Sequence, residues 1–83
     1  MSVFQEDDKG RTILFHFAAI GDIKEVENII YKLTGTGISP QRLALIKHKD
    51  NDGFTAADVA KKEGHKEIAD LLNSEEVRME YYE

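Results

Sequence analysis

Hydrophobic residues recur at helical spacing in two stretches of the chain, each of which follows a glycine. Three- and four-residue intervals place such residues on one side of a helix. Gly21 and Gly64, just before the stretches, suit the left-handed residue that ends a preceding helix. We therefore predict two amphipathic helices, each entered from a shorter helix through a tight loop. The predicted buried residues are Ile23, Val26, Ile29, Ile30 and Leu33 in the first, and Ile68, Leu71 and Leu72 in the second.

A six-residue pattern of the form D-x-x-G-x-T occurs twice, as DDKGRT at residues 7–12 and DNDGFT at residues 50–55. The copies are 43 residues apart, and in each copy the pattern's glycine precedes the loop glycine by eleven residues. Aspartate and glycine at this spacing favour a tight turn, and the threonine suits a helix N-cap. Each copy therefore predicts a turn, a short helix, a loop and a returning helix.

The second copy, DNDGFTAADVAKKEGHKEIADLL at residues 50–72, resembles an ankyrin repeat. The family pattern is approximately D-x-x-G-x-T-P-L-H-x-A-A-x-x-G-H-x-x-[IV]-[IV]-x-x-L-L, and about a dozen positions agree in order and spacing. In the first copy Ile13 replaces the proline, and Phe15 and Phe17 occupy the His and Ala positions of an ungapped alignment. An alternative alignment keeps H-x-A-A as HFAA at residues 16–19, with one residue added before it and one lost after it.

This resemblance implies an all-α fold of ankyrin-like helix-turn-helix repeats, stacked as a short solenoid in a single domain, 1–83. Repeat 1 spans about 7–33 and repeat 2 about 50–73. Ankyrin units recur every 33 residues, so the 43-residue offset leaves an insertion within residues 34–49.

Two further short helices are predicted outside the repeats. Ser39 and Pro40 have the order of an N-cap and a first helical residue. Leu43 and Ile46, with Leu45 as a further candidate, give this inserted helix an apolar side. In the tail, residues 73–76 (NSEE) have capping-box spacing. They predict a separate C-terminal capping helix within residues 74–83.

Composition and charge narrow the functional classes. The 83 residues are 41% hydrophobic and 33% charged, with no cysteine and a net charge of −5. This is typical of a single globular domain without disulfides or thiolate metal sites. Excess negative charge disfavours nucleic acid, and no run approaches the 18 apolar residues of a membrane span. Residues 1–8 lack the basic and apolar regions of a signal peptide, which predicts a cytoplasmic protein, with export by a non-classical route left open.

No catalytic, cofactor or metal site is predicted. His16, His48 and His65 have no metal-ligand spacing among themselves. The acidic turn before Gly53 is not a calcium loop, because His48 and Val59 stand where such a loop needs acidic ligands. We therefore expect a protein that is not an enzyme.

The ankyrin resemblance implies protein–protein binding through turn tips and the solvent side of the first helix of each repeat. Phe54 and Ile20 are large apolar residues at such positions. Either they are interface anchors, or Phe54 folds onto the inserted helix and Ile20 packs against Phe54 or the N-terminus. The partner-binding residues implied by the resemblance are Asp8, Lys9, Arg11, Ala19, Ile20, Lys49, Asn51, Asp52, Phe54, Lys62 and Glu63.

Three functions remain compatible with the sequence. The first is a non-catalytic adaptor, inhibitor or effector that binds another protein. The second is an acidic decoy that occupies a nucleic-acid-binding protein by charge mimicry, for which binding would fall steeply with salt. The third is a homodimerisation module that buries an open end of the stack against a second copy; the chain is otherwise expected to be a monomer.

Overall fold

The computed structural model describes residues 4–33 and 40–81, which form five α-helices and no strand. This confirms the all-α class. In chain order the helices are α1 (Ile13–Ile20), α2 (Ile23–Asn28), α3 (Pro40–Lys47), α4 (Ala56–Lys62) and α5 (Lys66–Tyr81), and a π-helical turn at Ile29–Leu33 continues α2. Within the described ranges, no helix is both long enough and apolar enough to cross a membrane.

The two copies of the sequence pattern have the same backbone course. α4 begins 43 residues after α1, and α5 begins 43 residues after α2. The turn glycines Gly10 and Gly53 have φ values of +75° and +84°, and the loop glycines Gly21 and Gly64 have +80° and +84°. These left-handed conformations favour glycine. We call residues 7–33 the first unit and residues 50–81 the second unit.

α1 and α4 pack side by side, but the side of α1 that faces α4 is not equivalent in sequence to the side of α4 that faces α1. Phe15 and Ala18 of α1 are fully buried, and Ala56 and Val59 of α4 are also buried. Two units stacked in the same orientation produce this pattern, because the buried side of one helix faces the opposite side of the next. The equivalents of these four residues in the other unit are all exposed: Asp58, Lys61, Ile13 and His16.

The returning helices supply the rest of the core. Val26, Ile29 and Ile30 are buried in the first unit, and Ile68 and Leu72 in the second. These five residues confirm the predicted apolar stripes in part, whereas Ile23 and Leu71 are only half-buried. The π-helical turn that carries part of the first stripe was not predicted.

The inserted helix begins at Pro40, as the sequence predicts, and packs mainly against α5. Its buried apolar residues are Leu45 and Ile46, whereas Leu43 is only half-buried. Arg42, also buried, lies with its guanidinium 5.3 Å from the ring centroid of Tyr31. The predicted cap Ser39 lies outside the described residues.

The prediction of a separate C-terminal capping helix is wrong, because α5 runs without interruption from Lys66 to Tyr81. No glycine or proline follows Leu72 to end the helix. Asn73 is exposed and needs no packing, and Glu75 extends the buried side of the helix by one turn. Val77 is 63% exposed, so this residue does not cover the second unit.

Candidate functional site

Both turn tips are fixed by an aspartate that bonds the backbone of its own turn. Asp7 Oδ1 accepts hydrogen bonds from the N–H groups of Lys9 and Arg11, each at 2.9 Å. Asp50 repeats this arrangement, and the N–H of Phe54 donates to its Oδ1 at 2.9 Å. The N–H of Arg11 lowers the pKa of Asp7, and the N–H of Phe54 lowers that of Asp50. The tips are therefore held in one conformation.

The two tips are also bonded to each other. The N–H of Asn51 donates to the carbonyl oxygen of Lys9 at 2.8 Å, and its Nδ2 donates to that of Asp8 at 3.0 Å. Arg11 Nε lies 3.0 Å from Asp50 Oδ2, whose side chain is only 1% exposed. The tips of both units consequently form one continuous surface.

Two histidines form hydrogen bonds with carbonyl groups of the first unit: His48, just before the second unit, and His65, within it. His48 Nε2 lies 3.1 Å from the carbonyl oxygen of Gly10, and His65 Nε2 lies 3.1 Å from that of Ala19. Because a carbonyl oxygen only accepts, each Nε2 carries the proton. These bonds fix the register of the two units.

A groove of about 480 Å³ lies between the tip and helix α4 of the second unit. Phe54 forms one of its walls and is 43% exposed. The Lys62 ammonium lies 5.9 Å from the centroid of the Phe54 ring, within the range of a cation–π contact. We call this the second groove, which is lined by Arg11, Gly53, Phe54, Asp58, Val59, Lys61, Lys62 and Glu63.

A groove of about 350 Å³ occupies the equivalent place in the first unit. It lies between the first tip and α1, and Arg11 lines both grooves. The two grooves therefore meet at Arg11 and form one face across both units. We call this the first groove, which is lined by Asp7, Asp8, Lys9, Arg11, Thr12, Phe15, His16 and Ala19.

The charge of the second groove is mixed. Lys61 and Lys62 lie beside Asp58 and Glu63. Asp58 Oδ2 accepts a hydrogen bond from the N–H of Thr55 at 3.1 Å, so this carboxylate belongs to the helix cap. The face thus differs from the acidic average of the chain, which carries a net charge of −5.

The structure brings most of the predicted partner-binding residues together. Asp8, Lys9, Arg11 and Ala19 line the first groove, and Phe54, Lys62 and Glu63 line the second with Arg11. Asn51 joins the tips through its hydrogen bonds. Lys49, Asp52 and Ile20 are exposed but line neither groove.

The two predicted apolar anchors are both partly exposed. Phe54 is 43% exposed and Ile20 is 57% exposed. Phe54 lies in a groove, whereas Ile20 lies at the end of α1 outside both grooves.

Eight groove residues were not predicted, although the 43-residue offset contains a signal for some of them. Phe15 and Asp58 occupy equivalent positions, as do His16 and Val59. Comparing the two helices position by position would have placed both pairs on the groove side. The unpredicted groove residues are Asp7, Thr12, Phe15, His16, Gly53, Asp58, Val59 and Lys61.

A buried polar cluster on the other side of the molecule was also missed. The hydroxyl of Tyr31 donates a hydrogen bond to Glu75 Oε1, and Glu75 is only 5% exposed. Burial, followed by this hydrogen bond, raises the pKa of Tyr31 to about 12. Arg78 Nη1 lies 3.9 Å from the same carboxylate oxygen. The cluster joins the π-helical turn to α5 and takes no part in the grooves.

The sequence matches no protein-family model, and no curated protein matches it. In the part of the chain that the structure describes, no three His, Asp or Glu side chains form a group that could hold a metal ion. Function is therefore inferred from the two grooves and the residues that line them.

Proposed function

We propose that the chain is an ankyrin-like module of two stacked units that binds another protein without catalysis. Two features support this proposal. The turn, helix, loop and helix of each unit repeat with a constant offset of 43 residues. The units also share one face, built from turn tips and inner helices, which is where the family resemblance implies partner contacts.

The single observation that carries the proposal is the exposed ring of Phe54. The buried carboxylate of Asp50 holds the backbone of Phe54, and Lys62 lies against the ring. Exposed aromatic residues on a rigid backbone are frequent anchors of protein interfaces. Burying the exposed 43% of this side chain in a partner would contribute about 1 kcal/mol from hydrophobic transfer.

The size of the face predicts a modest affinity. The two grooves, of about 350 and 480 Å³, each hold a few side chains of a partner. A standard stable interface buries about 800 Å² on each partner. A two-unit face of this size fits a short segment or a loop of the partner.

The proposal is tested by affinity capture from a native lysate with three immobilised proteins: the unmodified chain, Phe54→Lys and the control Val77→Lys. Both variants place a lysine at an exposed hydrophobic position, since Phe54 is 43% and Val77 63% exposed. Circular dichroism checks that both remain helical. We expect a protein that the unmodified chain and Val77→Lys enrich equally and that Phe54→Lys loses.

Two outcomes would contradict the proposed face. One is enrichment that is the same for all three proteins, and the other is a loss caused by Val77→Lys alone. Repeating the capture at increasing salt separates the decoy function from the proposed one. Binding that disappears with salt and is insensitive to Phe54→Lys would indicate charge mimicry.

A further inference from the structure

Helix α1 carries no charged side chain, and it packs against α4 and α2 while one of its sides stays exposed. Its sequence, ILFHFAAI, contains no Asp, Glu, Lys or Arg, whereas each other described helix contains charged residues. A helix that is apolar all round is normally buried. Here the side that faces α4 is buried, but Ile13 is 38% and Ile20 57% exposed.

The exposed residues form a continuous stripe along α1. Ile13 and Ile20 are seven residues apart and lie on the same side of the helix. His16, which is exposed, and Phe17, which is half-buried, lie between them, with ring centroids 5.0 Å apart. We call these four residues the outer α1 face.

Another unit of the same kind would lack, at this face, two of the side-chain hydrogen bonds that join the observed units. At the observed junction, side chains of Asn51, His48 and His65 donate hydrogen bonds to carbonyl groups of the preceding unit. Two of their equivalents in the first unit are carboxylates, which do not donate. The carboxylate of one of them, Asp22, already accepts from the N–H of Glu25 at 3.2 Å. The equivalent residues are Asp8, Gln5 and Asp22.

The opposite end of the stack does not fit this face either. The exposed side of α4 there carries Asp58 and Lys61. Head-to-tail contact would remove these charges from water against a face whose single polar side chain is His16, which is costly. Contact between two outer α1 faces buries no carboxylate or ammonium group of α1 and brings together Ile13, Phe17 and Ile20 of both copies, with His16 as the polar side chain of each face.

We infer that the outer α1 face binds the same face of a second copy of this chain, with the two α1 helices antiparallel about a two-fold axis. The axis passes near His16 and Phe17, so Ile13 of each copy lies against Ile20 of the other. This inference does not rest on the proposed function: His16 also lines the first groove, but Phe54 and the second groove stay open in such a dimer. The dimer presents that groove twice, which gives a bivalent binder.

The area of contact predicts a weak dimer. Eight helical residues span about 12 Å. The area that two such short helices bury against each other is therefore far smaller than the about 800 Å² per partner of a standard interface. We therefore expect a dissociation constant between about 10 μM and 1 mM.

Sedimentation equilibrium of the full chain over a concentration series tests the inference. The unmodified chain is expected to rise above its monomer mass of 9.4 kDa as concentration increases. Ile13→Glu and Ile20→Lys should each remain monomeric. Both substitutions suit the helix dipole, with an acid in the first turn and a base in the last, so circular dichroism should show both folded.

An equimolar mixture of the two variants tests the antiparallel pairing directly. In a mixed antiparallel dimer, Glu at 13 of one copy faces Lys at 20 of the other, and the remaining contact is Ile against Ile. The mixture should therefore recover dimer that neither variant forms alone. Phe54→Lys is the control and should dimerise like the unmodified chain.

Three results would overturn the inference. A mass that stays at 9.4 kDa up to about 1 mM excludes the dimer. Dimerisation of both single variants at the level of the unmodified chain excludes the outer α1 face. A mixture that stays monomeric while the unmodified chain dimerises excludes the antiparallel pairing.

Discussion

Gly21 and Gly64 end the first helix of each unit with almost the same backbone, at φ +80° and +84°, but their surroundings differ. A methyl group at Gly21 would lie 2.6 Å from Cε1 of His65, whereas nothing lies within 4 Å of one at Gly64. The difference arises because the second unit packs on the first, while the equivalent side of the second unit is open. Gly64→Ala therefore measures the backbone cost alone, and Gly21→Ala adds the cost of the junction.

The expected magnitudes follow from these contacts. An alanine in the left-handed conformation costs about 1–2 kcal/mol, and this applies to both variants. Gly21→Ala also displaces the ring of His65 and breaks its hydrogen bond to Ala19, which adds about 1 kcal/mol. The total of about 2–3 kcal/mol is a large part of the about 4–12 kcal/mol expected for 83 residues. It corresponds to a Tm lower by about 10–20 °C.

Urea unfolding followed by circular dichroism measures the free energy of unfolding of each variant. A double-mutant cycle with His65→Ala isolates the contact: without the imidazole, Gly21→Ala should cost no more than Gly64→Ala does. Equal costs for Gly21→Ala and Gly64→Ala in the unmodified background would refute the reasoning. The ring of His65 would then not lie on Gly21, and the junction between the units would differ from the one described.

Four further predictions concern single side chains. Thr55→Ala should lower the free energy of unfolding by about 1 kcal/mol, because the Thr55 hydroxyl accepts from the N–H of Asp58. Thr12→Val should raise it by about 1 kcal/mol, because the buried Thr12 hydroxyl has no partner among the described residues. Tyr31 has its pKa raised to about 12, so unfolded chains lose this proton near pH 10 while folded chains keep it; stability should fall between about pH 10 and pH 12. The pKa of Asp50 is lowered, so its contribution is present above about pH 4 and is lost as the pH falls below that value.

Each of these predictions has a matched control or a contrary result. The Thr55 side chain makes a cap hydrogen bond and the Thr12 side chain makes none. Equal losses of unfolding free energy in Thr55→Ala and Thr12→Ala would contradict this difference. Tyr31→Phe should flatten the alkaline loss of stability, and an unchanged slope would assign that loss to other groups. Asp50→Asn should reduce the acid dependence of urea unfolding; a pH profile identical to that of the unmodified chain would contradict the role of this carboxylate.

The course of the backbone within each unit was predictable because short-range chemistry sets it. Aspartate, glycine and threonine at fixed spacing define the turns, and the loop glycines end α1 and α4. The inserted helix was predictable from Pro40 for the same reason. Such signals act over a few residues and need no knowledge of the neighbours.

Features that depend on tertiary packing were not predictable from local signals. The spacing of residues 73–76 indicated a helix start, but α5 continues because Glu75 finds a buried partner in Tyr31, 44 residues away. Likewise, Phe15 and Asp58 occupy equivalent positions and have opposite burial, because a following unit covers only the first.

Site-specific photo-crosslinking tests whether the face around Phe54 binds a protein partner. A benzophenone amino acid is placed at position 54 in one protein and at position 77, on the exposed side of α5, in another. After irradiation in native lysate, the account predicts a crosslink to one discrete protein from position 54 and none from position 77. A discrete crosslink from position 77 without one from position 54 would contradict the account and move the binding surface to α5.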